Sequence, residues 1–514
     1  MERDYINYGD RASEIENPKE RKIYRSLELL PGFLNLITLI FAFLFSFFRP
    51  VWVAIFIILF TLFFVFNTGY LSYHQIICLL KVRKNLKINF LAKLKKIKNW
   101  QNIFHLIILP MYKEEVGIVN ETFSALKNCD YPKEKLMVIL AVEEKGGEEV
   151  KKVAKTIKQK YDNSFYRLKI IFHPKNLEGE IAGKGANTAY AGEIAKKEII
   201  DKEKISYQNV IVSIFDIDTR VYPQYFAVLT YNYLTCKNPL KSSFQPIPVY
   251  NNNIWEAPSL TRIISVSNTF WQMIQQERPE QLVTYSSHSM PFEAFIKIGY
   301  PKNVVSDDSR IFWKSFFYFN GDYQVVPLYY PVSMDVVTAL TLMRTLINQY
   351  KQQRRWAWGC TEIPYIFLGF LKNKKIYQWK KFFYSLILSY GFWSWACMSL
   401  LILFLGWLPW LVGGEEFKIS LLSYNLPRLT GRILTIGMFG MVCGTITSAF
   451  FLPPKPRHIS WFKSFTMNIQ WLFLPLTLVV FGAFPALDAS IRLMFGKYMG
   501  FWCTPKGRAK KLKN

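Results

Sequence analysis

IVSIFDIDTR, residues 211–220, is the stretch on which the fold reading turns. It is an apolar, β-branched run that stops at two aspartates, Asp216 and Asp218, one residue apart. Such a run reads as a buried strand. In a sheet covered by helices, ligands sit at the carboxyl ends of the strands. Two carboxylates delivered there suit a hard divalent cation carrying a diphosphate. Asp-x-Asp also starts turns and caps helices, so its meaning depends on its neighbours.

Upstream, strand-like runs at 103–109, 136–142 and 168–172 precede the one at 210–215. Helix-like stretches at 117–126, 148–160 and 186–204 lie between them. This alternation predicts a mostly parallel, Rossmann-like sheet with right-handed crossovers. The fold class is therefore α/β plus transmembrane helices, with the α/β domain inserted between membrane helices. Polar residues gather in the strand-to-helix connections: Pro110-Met111-Tyr112-Lys113-Glu114, Glu143-Glu144 and Gly183-Lys184-Gly185-Ala186-Asn187.

The chain of 514 residues is 51% hydrophobic, 17% aromatic and 20% charged, with a formal net charge of +27. Apolar runs at 29–48 and 51–77 exceed or match the roughly 20 residues a membrane helix needs and form a hairpin. Further runs at 382–412, 433–452 and 469–487 follow the α/β region. The basic excess then fits cytoplasmic loops and anionic head groups. No zinc-finger, recognition-helix or aromatic RNA-binding pattern is present, so no nucleic-acid partner is expected. The seven cysteines form no CxxC pair and read as reduced. The five histidines show no zinc spacing, which leaves oxygen ligands for any metal.

Topology from charge contains a conflict. Lys455, Arg457 and Lys463 mark their loop as cytoplasmic, and Glu415 and Glu416 fall in an external one. Three terminal spans would then leave the tail outside, although Lys506, Arg508, Lys510, Lys511 and Lys513 place it inside. The Pro485 break suggests a bent or re-entrant segment over 469–495.

Downstream of the aspartates lie Val305-Ser306-Asp307-Asp308-Ser309-Arg310 and the amide, guanidinium and indole cluster of 349–358, QYKQQRRWAW. Moving a sugar from a nucleotide diphosphate to a hydroxyl requires charge neutralisation at the diphosphate and a proton acceptor for the hydroxyl. Asp216 and Asp218 meet the first need, and Asp307 and Asp308 the second. Arg354, Arg355 and Trp356 add phosphate contacts and a flat apolar face for a sugar ring.

Together these residues resemble the membrane-integrated family-2 glycosyltransferases, the group of cellulose, chitin and hyaluronan synthases, over 105–356. The resemblance implies a GT-A-like domain, with Tyr112 and Glu114 at the nucleobase, Lys184 at the diphosphate, and Asp216 and Asp218 holding Mg²⁺ or Mn²⁺. It further implies Asp308 as general base, Asp307 beside the acceptor, and Gln352, Arg355 and Trp356 on a loop that closes over substrate, as in the processive branch. Two positions depart from the family pattern. Glu143 stands where an Asp usually binds uridine or ribose, and Ser306-Asp307 replaces Thr-Glu. Plainer readings stand beside these: Lys184 as a surface lysine, Glu114 as a first-turn acid, Asp308 as a helix cap, Trp356 and Trp358 as interfacial aromatics. His288 is either near the acceptor or metal, or a buried hydrogen-bonded histidine.

The implied activity is inverting, metal-dependent transfer from a nucleotide-diphosphate sugar, a UDP-sugar first, to a growing polysaccharide. A membrane lipid acceptor is the alternative, and a non-catalytic transporter or scaffold the second. The division expected is a cytoplasmic segment (1–28), a two-helix hairpin (29–77), a basic interfacial linker (78–102), the GT-A-like domain (103–360) and an interfacial helix (361–380). A C-terminal membrane region follows (381–496; three spans, or a fourth re-entrant one), then a basic tail (497–514). The protein is expected to be integral to the cytoplasmic membrane of a prokaryote, with the α/β domain inside.

Overall fold

The first long helix starts where a capping residue and a proline stand together. The Asn17 side chain accepts from the backbone N–H groups of Lys19 (3.0 Å) and Glu20 (3.3 Å). Pro18, at the first helical position, has no donor to waste there. In the structure, a computed structural model describing residues 4–457 and 459–505, α1 runs Pro18–Phe48 and α2 Pro50–Asn85. Both exceed the apolar stretches at 29–48 and 51–77, because caps and protein packing end a helix while hydropathy registers only its lipid-facing part.

The lead before α1 is structured. Tyr5, Ile6, Ala12 and Ile15 are buried with Phe312, Phe316, Tyr365 and Ile366, so residues of the 1–28 segment belong to the core of the α/β domain. The stretch expected as a basic interfacial linker holds the end of α2 followed by α3 (Phe90–Leu94). Phe90 and Leu94 are buried with Ile107, Val138 and Tyr330. Its apolar residues face protein, and its lysines face out.

The α/β domain is built on an eight-stranded sheet of order β3-β2-β1-β4-β7-β6-β8-β5. The parallel half is β1 (Phe104–Met111), β2 (Leu136–Glu143), β3 (Arg167–His173) and β4 (Val210–Ile214), with α4 (Val116–Lys127), α5 (Glu148–Tyr161) and α6 (Lys184–Ala195) in the crossovers. Every residue of β2 and β4 is buried, as parallel strands covered on both faces require. The mixed half comprises β5 (Arg220–Val221), β6 (Ser242–Tyr250), β7 (Ser289–Pro291) and β8 (Gln324–Met334). α7 (Tyr225–Thr235), α8 (Ser259–Gln276), α9 (Phe292–Ile298) and α10 (Asp307–Tyr318) connect it. All four parallel strands end on one edge, where α6 and α10 begin.

Two further helices join this domain to the membrane part. α11 (Leu342–Ala357) carries Gln352, Arg355 and Trp356, so these lie on a helix and not on the expected loop. α12 (Glu362–Lys372) was expected along the membrane surface. It is buried instead, with Ile363, Tyr365, Ile366, Leu368 and Phe370 each no more than 5% exposed. Its apolar length is too short to span but is filled by contacts with α1 and α10.

Among the described residues, five helical stretches are long and apolar enough to cross a membrane: α1, α2, α13 (Gln378–Leu403), Leu421–Phe451 and Phe465–Met494. Gly413 lies against Pro50 at the hairpin turn, at the end remote from the domain. Both ends of Phe465–Met494 touch the domain side. Arg262 on α8 donates to Gln470 (2.8 Å), and Arg25 near the start of α1 donates to the Leu493 carbonyl (3.0 Å). Its middle reaches Ser399 near the end of α13, through Leu478 (3.4 Å). Pro475, Pro485 and a π-helical turn at Val479–Ala483 interrupt it, which lets the segment bend. Of the basic tail, Lys506, Arg508, Lys510, Lys511 and Lys513 lie outside the described residues.

Candidate active site at the carboxyl edge of the parallel strands

β4 passes into a tight turn in which the Thr219 N–H donates to the Asp216 carbonyl (2.9 Å). The turn points the two aspartates differently. Asp216 keeps 27% of its side chain exposed, while Asp218 is buried. Asp216 accepts from the Ser286 hydroxyl (2.7 Å) and pairs with Lys184 Nζ (2.9 Å). Asp218 accepts from the Asp335 backbone N–H (3.0 Å), and its own carbonyl accepts from Asn252 Nδ2 (3.0 Å), which also bonds Asp335 (2.9 Å). Asp218 thus ties the β4 turn to the end of β8.

Lys184 is the first residue of α6, and its ammonium bridges two elements. It meets Asp308 at 2.8 and 3.0 Å as well as Asp216. Burial alone would lower its pKa, but Asp216, Asp308 and Asp307 outweigh this and hold it above the ordinary lysine value. The glycines on either side allow close approach of neighbouring protein. A Cβ at Gly183 would strike the Phe501 ring (2.6 Å), and one at Gly185 the Pro301 carbonyl oxygen (2.5 Å) and Asp307 Cβ (2.9 Å). Gly185→Ala is therefore expected to destabilise the fold by about 1–3 kcal/mol, read as a lower thermal midpoint. An unchanged midpoint would contradict this packing. Asn187, at the end of the same motif, donates to the Ala141 carbonyl (2.8 Å) and so holds α6 to β2.

Asp307 and Asp308 open α10, where the positive end of the helix dipole favours carboxylates. Their environments differ. Asp308 has 26% of its side chain exposed. Asp307 is buried, accepts from the Tyr300 hydroxyl (3.1 Å), and is pushed up to about 7 by burial and then by the Asp308 charge. His288 is fully buried and stacked on Tyr300, 6.2 Å between centroids. Its Nδ1 lies 2.9 Å from the Tyr285 carbonyl and 3.6 Å from Asp308. Burial lowers its pKa to about 4, so it is a neutral imidazole whose Nδ1–H donates to Tyr285.

The remaining sequence-derived candidates lie around this centre. Glu114 accepts from the backbone N–H groups of Tyr112 (2.8 Å) and Lys113 (3.1 Å), which folds the loop after β1 back on itself. Glu143, at the end of β2, bonds His173 Nδ1 (3.0 Å), whose Nε2 bonds Glu180 (3.0 Å). Burial opposes charge on His173, but the two glutamates raise its pKa overall. Gln352 accepts from Gln349 on its own helix (3.2 Å), and the Trp356 ring lies 6.4 Å from Tyr250. Arg355 sits over the Phe501 ring (5.0 Å), the same ring that covers Gly183. Arg354 pairs with Asp488 (2.8 Å). Trp358 is completely buried, against Ala396 and Cys397.

No family model and no curated protein matches the chain. Solved structures that resemble it include the mannosyltransferase PcManGT from Pyrobaculum calidifontis in complex with GDP-Man and Mn2+. It shares 12% identity over 85% of this chain and 100% of its own, with a TM-score of 0.42. Residues 1–349 of TarS from S. aureus, in complex with UDP-GlcNAc, share 11% identity over 77% of this chain and 93% of their own, with a TM-score of 0.36.

Lys184, Asp216 and Asp308 are thus in direct contact, with Asp307 beneath them. Tyr112, Glu114 and Glu143 occupy neighbouring strand ends, and Arg355 connects through Phe501. The carboxylate oxygens of Asp216 and Asp218 are hard donors that fit Mg²⁺ or Mn²⁺. Among the described residues no group of three or more His, Cys, Asp and Glu could hold a metal unaided. Of the two carboxylates, Asp216 is the partly exposed one and Asp218 the buried one.

Sequence reasoning missed Ser286, Tyr300, His173, Asp335 and Phe501. The pairing of Glu143 with His173 follows from their register across β2 and β3, which no local pattern announces. Ser286 had a local signal, since it lies two residues before His288, which the sequence had singled out.

Proposed function

We propose that the chain is an inverting, metal-dependent glycosyltransferase. It transfers a sugar from a nucleotide-diphosphate sugar to a growing polysaccharide at the cytoplasmic face of a prokaryotic membrane. The contact of Lys184 with both Asp216 and Asp308 carries this reading. One cation joins the residue suited to the diphosphate side to the residue suited to accept a proton, at the edge where an α/β sheet binds ligands.

In the reaction proposed, the acceptor hydroxyl oxygen bonds to the anomeric carbon as the bond from that carbon to the diphosphate breaks. The hydroxyl proton passes to Asp308. A single in-line displacement inverts the anomeric centre, and no second nucleophile with its own base is needed. Asp216 and Asp218 would hold the divalent ion, which when bound offsets the charge developing on the leaving diphosphate. Lys184 adds a fixed positive charge on that side and keeps Asp308 turned toward the donor. Asp308, being partly exposed, is within reach of a hydroxyl; Asp307 is not.

One observation favours the lipid-acceptor reading. The start of α11 and the residue two before it expose Leu340, Leu342, Met343 and Ile347, each at least 46% accessible, a surface suited to acyl chains on the helix that carries Gln352 and Arg355. Membranes containing the protein, incubated with a panel of labelled nucleotide sugars, separate the two readings by product size. A ladder of long chains is expected. One sugar on an organic-extractable lipid would replace the polymer by a lipid acceptor, and no incorporation from any donor would overturn the glycosyltransferase reading itself.

A further inference from the structure

The turn that delivers Asp307 and Asp308 is gripped by residues from the far end of the chain. Asp10 Oδ2 accepts the Val305 backbone N–H (2.9 Å), and Asp10 Oδ1 pairs with the Arg310 guanidinium (3.1 Å). One carboxylate therefore spans the Ser306–Ser309 turn from both sides. Arg310 also donates to the Tyr8 carbonyl (2.8 Å) and to Glu362 on α12 (2.8 Å), with its guanidinium over the Tyr365 ring (3.9 Å). Asn303, just upstream, donates to the Asn7 carbonyl (3.1 Å). Asp10 and Arg310 are 2% and 1% exposed, so solvent neither screens nor loosens these bonds.

A merely stabilising ion pair could lie anywhere in the core. This one meets the backbone of the residue three before Asp308 and the side chain of the residue two after it. The direction in which α10 leaves the turn, and with it the place of the Asp308 carboxylate, depends on that bridge. The donor-side residues Lys184 and Asp216 stand on other elements, α6 and the turn after β4, and Asp10 contacts neither.

We propose that Asp10, acting with Arg310, is a positioning residue for the proton-accepting Asp308, and that the segment before α1 is part of the catalytic scaffold. This rests on the glycosyltransferase reading. Displacing a reacting group by about 1 Å costs on the order of 10²-fold in rate. The loss should fall on turnover more than on donor affinity, because Asp10 holds the turn of the acceptor-side carboxylate, while Lys184 keeps its contact with Asp216 on the donor side.

The test uses the full chain in detergent with a nucleotide sugar that the unaltered protein turns over. Active sites are counted by titration with the matching nucleoside diphosphate. Asp10→Ala is expected to lower kcat per site by about 10²-fold while the donor KM stays within about twofold. Asp10→Asn keeps an oxygen for the Val305 N–H, and its loss should be smaller. Unchanged kcat per site in a folded variant would overturn the proposal, as would kcat and donor KM shifting together. Failure of both variants to fold would overturn it too, since Asp10 would then act on the fold as a whole. If the unaltered protein transfers no sugar, the glycosyltransferase reading fails; if it transfers and Asp10→Ala matches it, only this proposal fails.

Discussion

Asp308→Asn is expected to lower sugar transfer by about 10²–10⁴-fold while nucleotide binding is retained. The amide is nearly isosteric but takes no proton at neutral pH. The local frame should survive: the Thr284 hydroxyl bonds the Asp308 backbone carbonyl (2.6 Å), not its side chain, and Lys184 keeps Asp216. Asp307 does not substitute. Loss of the Asp308 charge would bring its raised pKa down, but it remains buried under Tyr300 and Gly185. Initial rates with labelled donor, paired with equilibrium binding of the nucleoside diphosphate, measure both sides. Transfer within about tenfold of the unaltered rate would sink Asp308 as the proton acceptor.

Arg310→Met should cost about 3–5 kcal/mol of stability, because it leaves two carboxylates buried without their cation. Asp10 and Glu362 are each 2% exposed. Glu362 is already pushed up to about 7, by burial first, with Arg310 pulling the other way. A carboxyl whose pKa is higher folded than unfolded takes up a proton on folding. Its contribution to stability is present at low pH and is lost as pH rises through the folded value. Removing Arg310 raises the Glu362 value further, so the deficit of the variant should be larger near about pH 8 than near about pH 6. Thermal midpoints of both proteins in detergent across that range give the comparison. A deficit that shrinks as pH rises would contradict the account.

The parallel half of the sheet was legible because β1, β2 and β4 are runs of largely apolar, buried residues, while β3, at the sheet edge and partly exposed, still carries the apolar run Ile170-Ile171-Phe172. The apolar spans were legible for the same reason. Helix limits were not: Asn17 and Pro18 start α1 before its apolar run, and α2 continues past it as far as Asn85. α12 was misplaced at the membrane surface because a short apolar helix flanked by lysines reads the same whether it meets lipid or protein. The Gln352-to-Trp356 segment looked like a mobile loop because its family role was carried over without its local structure. Leu342, Met343, Leu346 and Ile347, just upstream, recur at helical spacing, and the segment continues the helix they begin, α11.

Near the proposed centre the division is similar. Lys184, Asp216 and Asp308 were picked out by residue type and by the order of their motifs, and the fold brings them within 3.0 Å of one another through Lys184. Asp10 had no such signal. It lies in a polar lead whose charge pattern resembles any solvated terminus.

The amino-acid sequence by itself determined the four parallel strands, the apolar spans and the identity of the acidic and basic groups, since periodicity, length and residue chemistry belong to neighbouring residues; the mixed half of the sheet, β5 to β8, appeared only in the tertiary structure. Tertiary structure alone decided which groups meet: Glu143 with His173 through strand register, Asp10 with Arg310 across almost the whole domain, and Phe501 over Gly183 and Arg355. The reason is physical. A buried charge is tolerated only with its partner in place, and that partner is set by how the elements pack, not by distance along the chain.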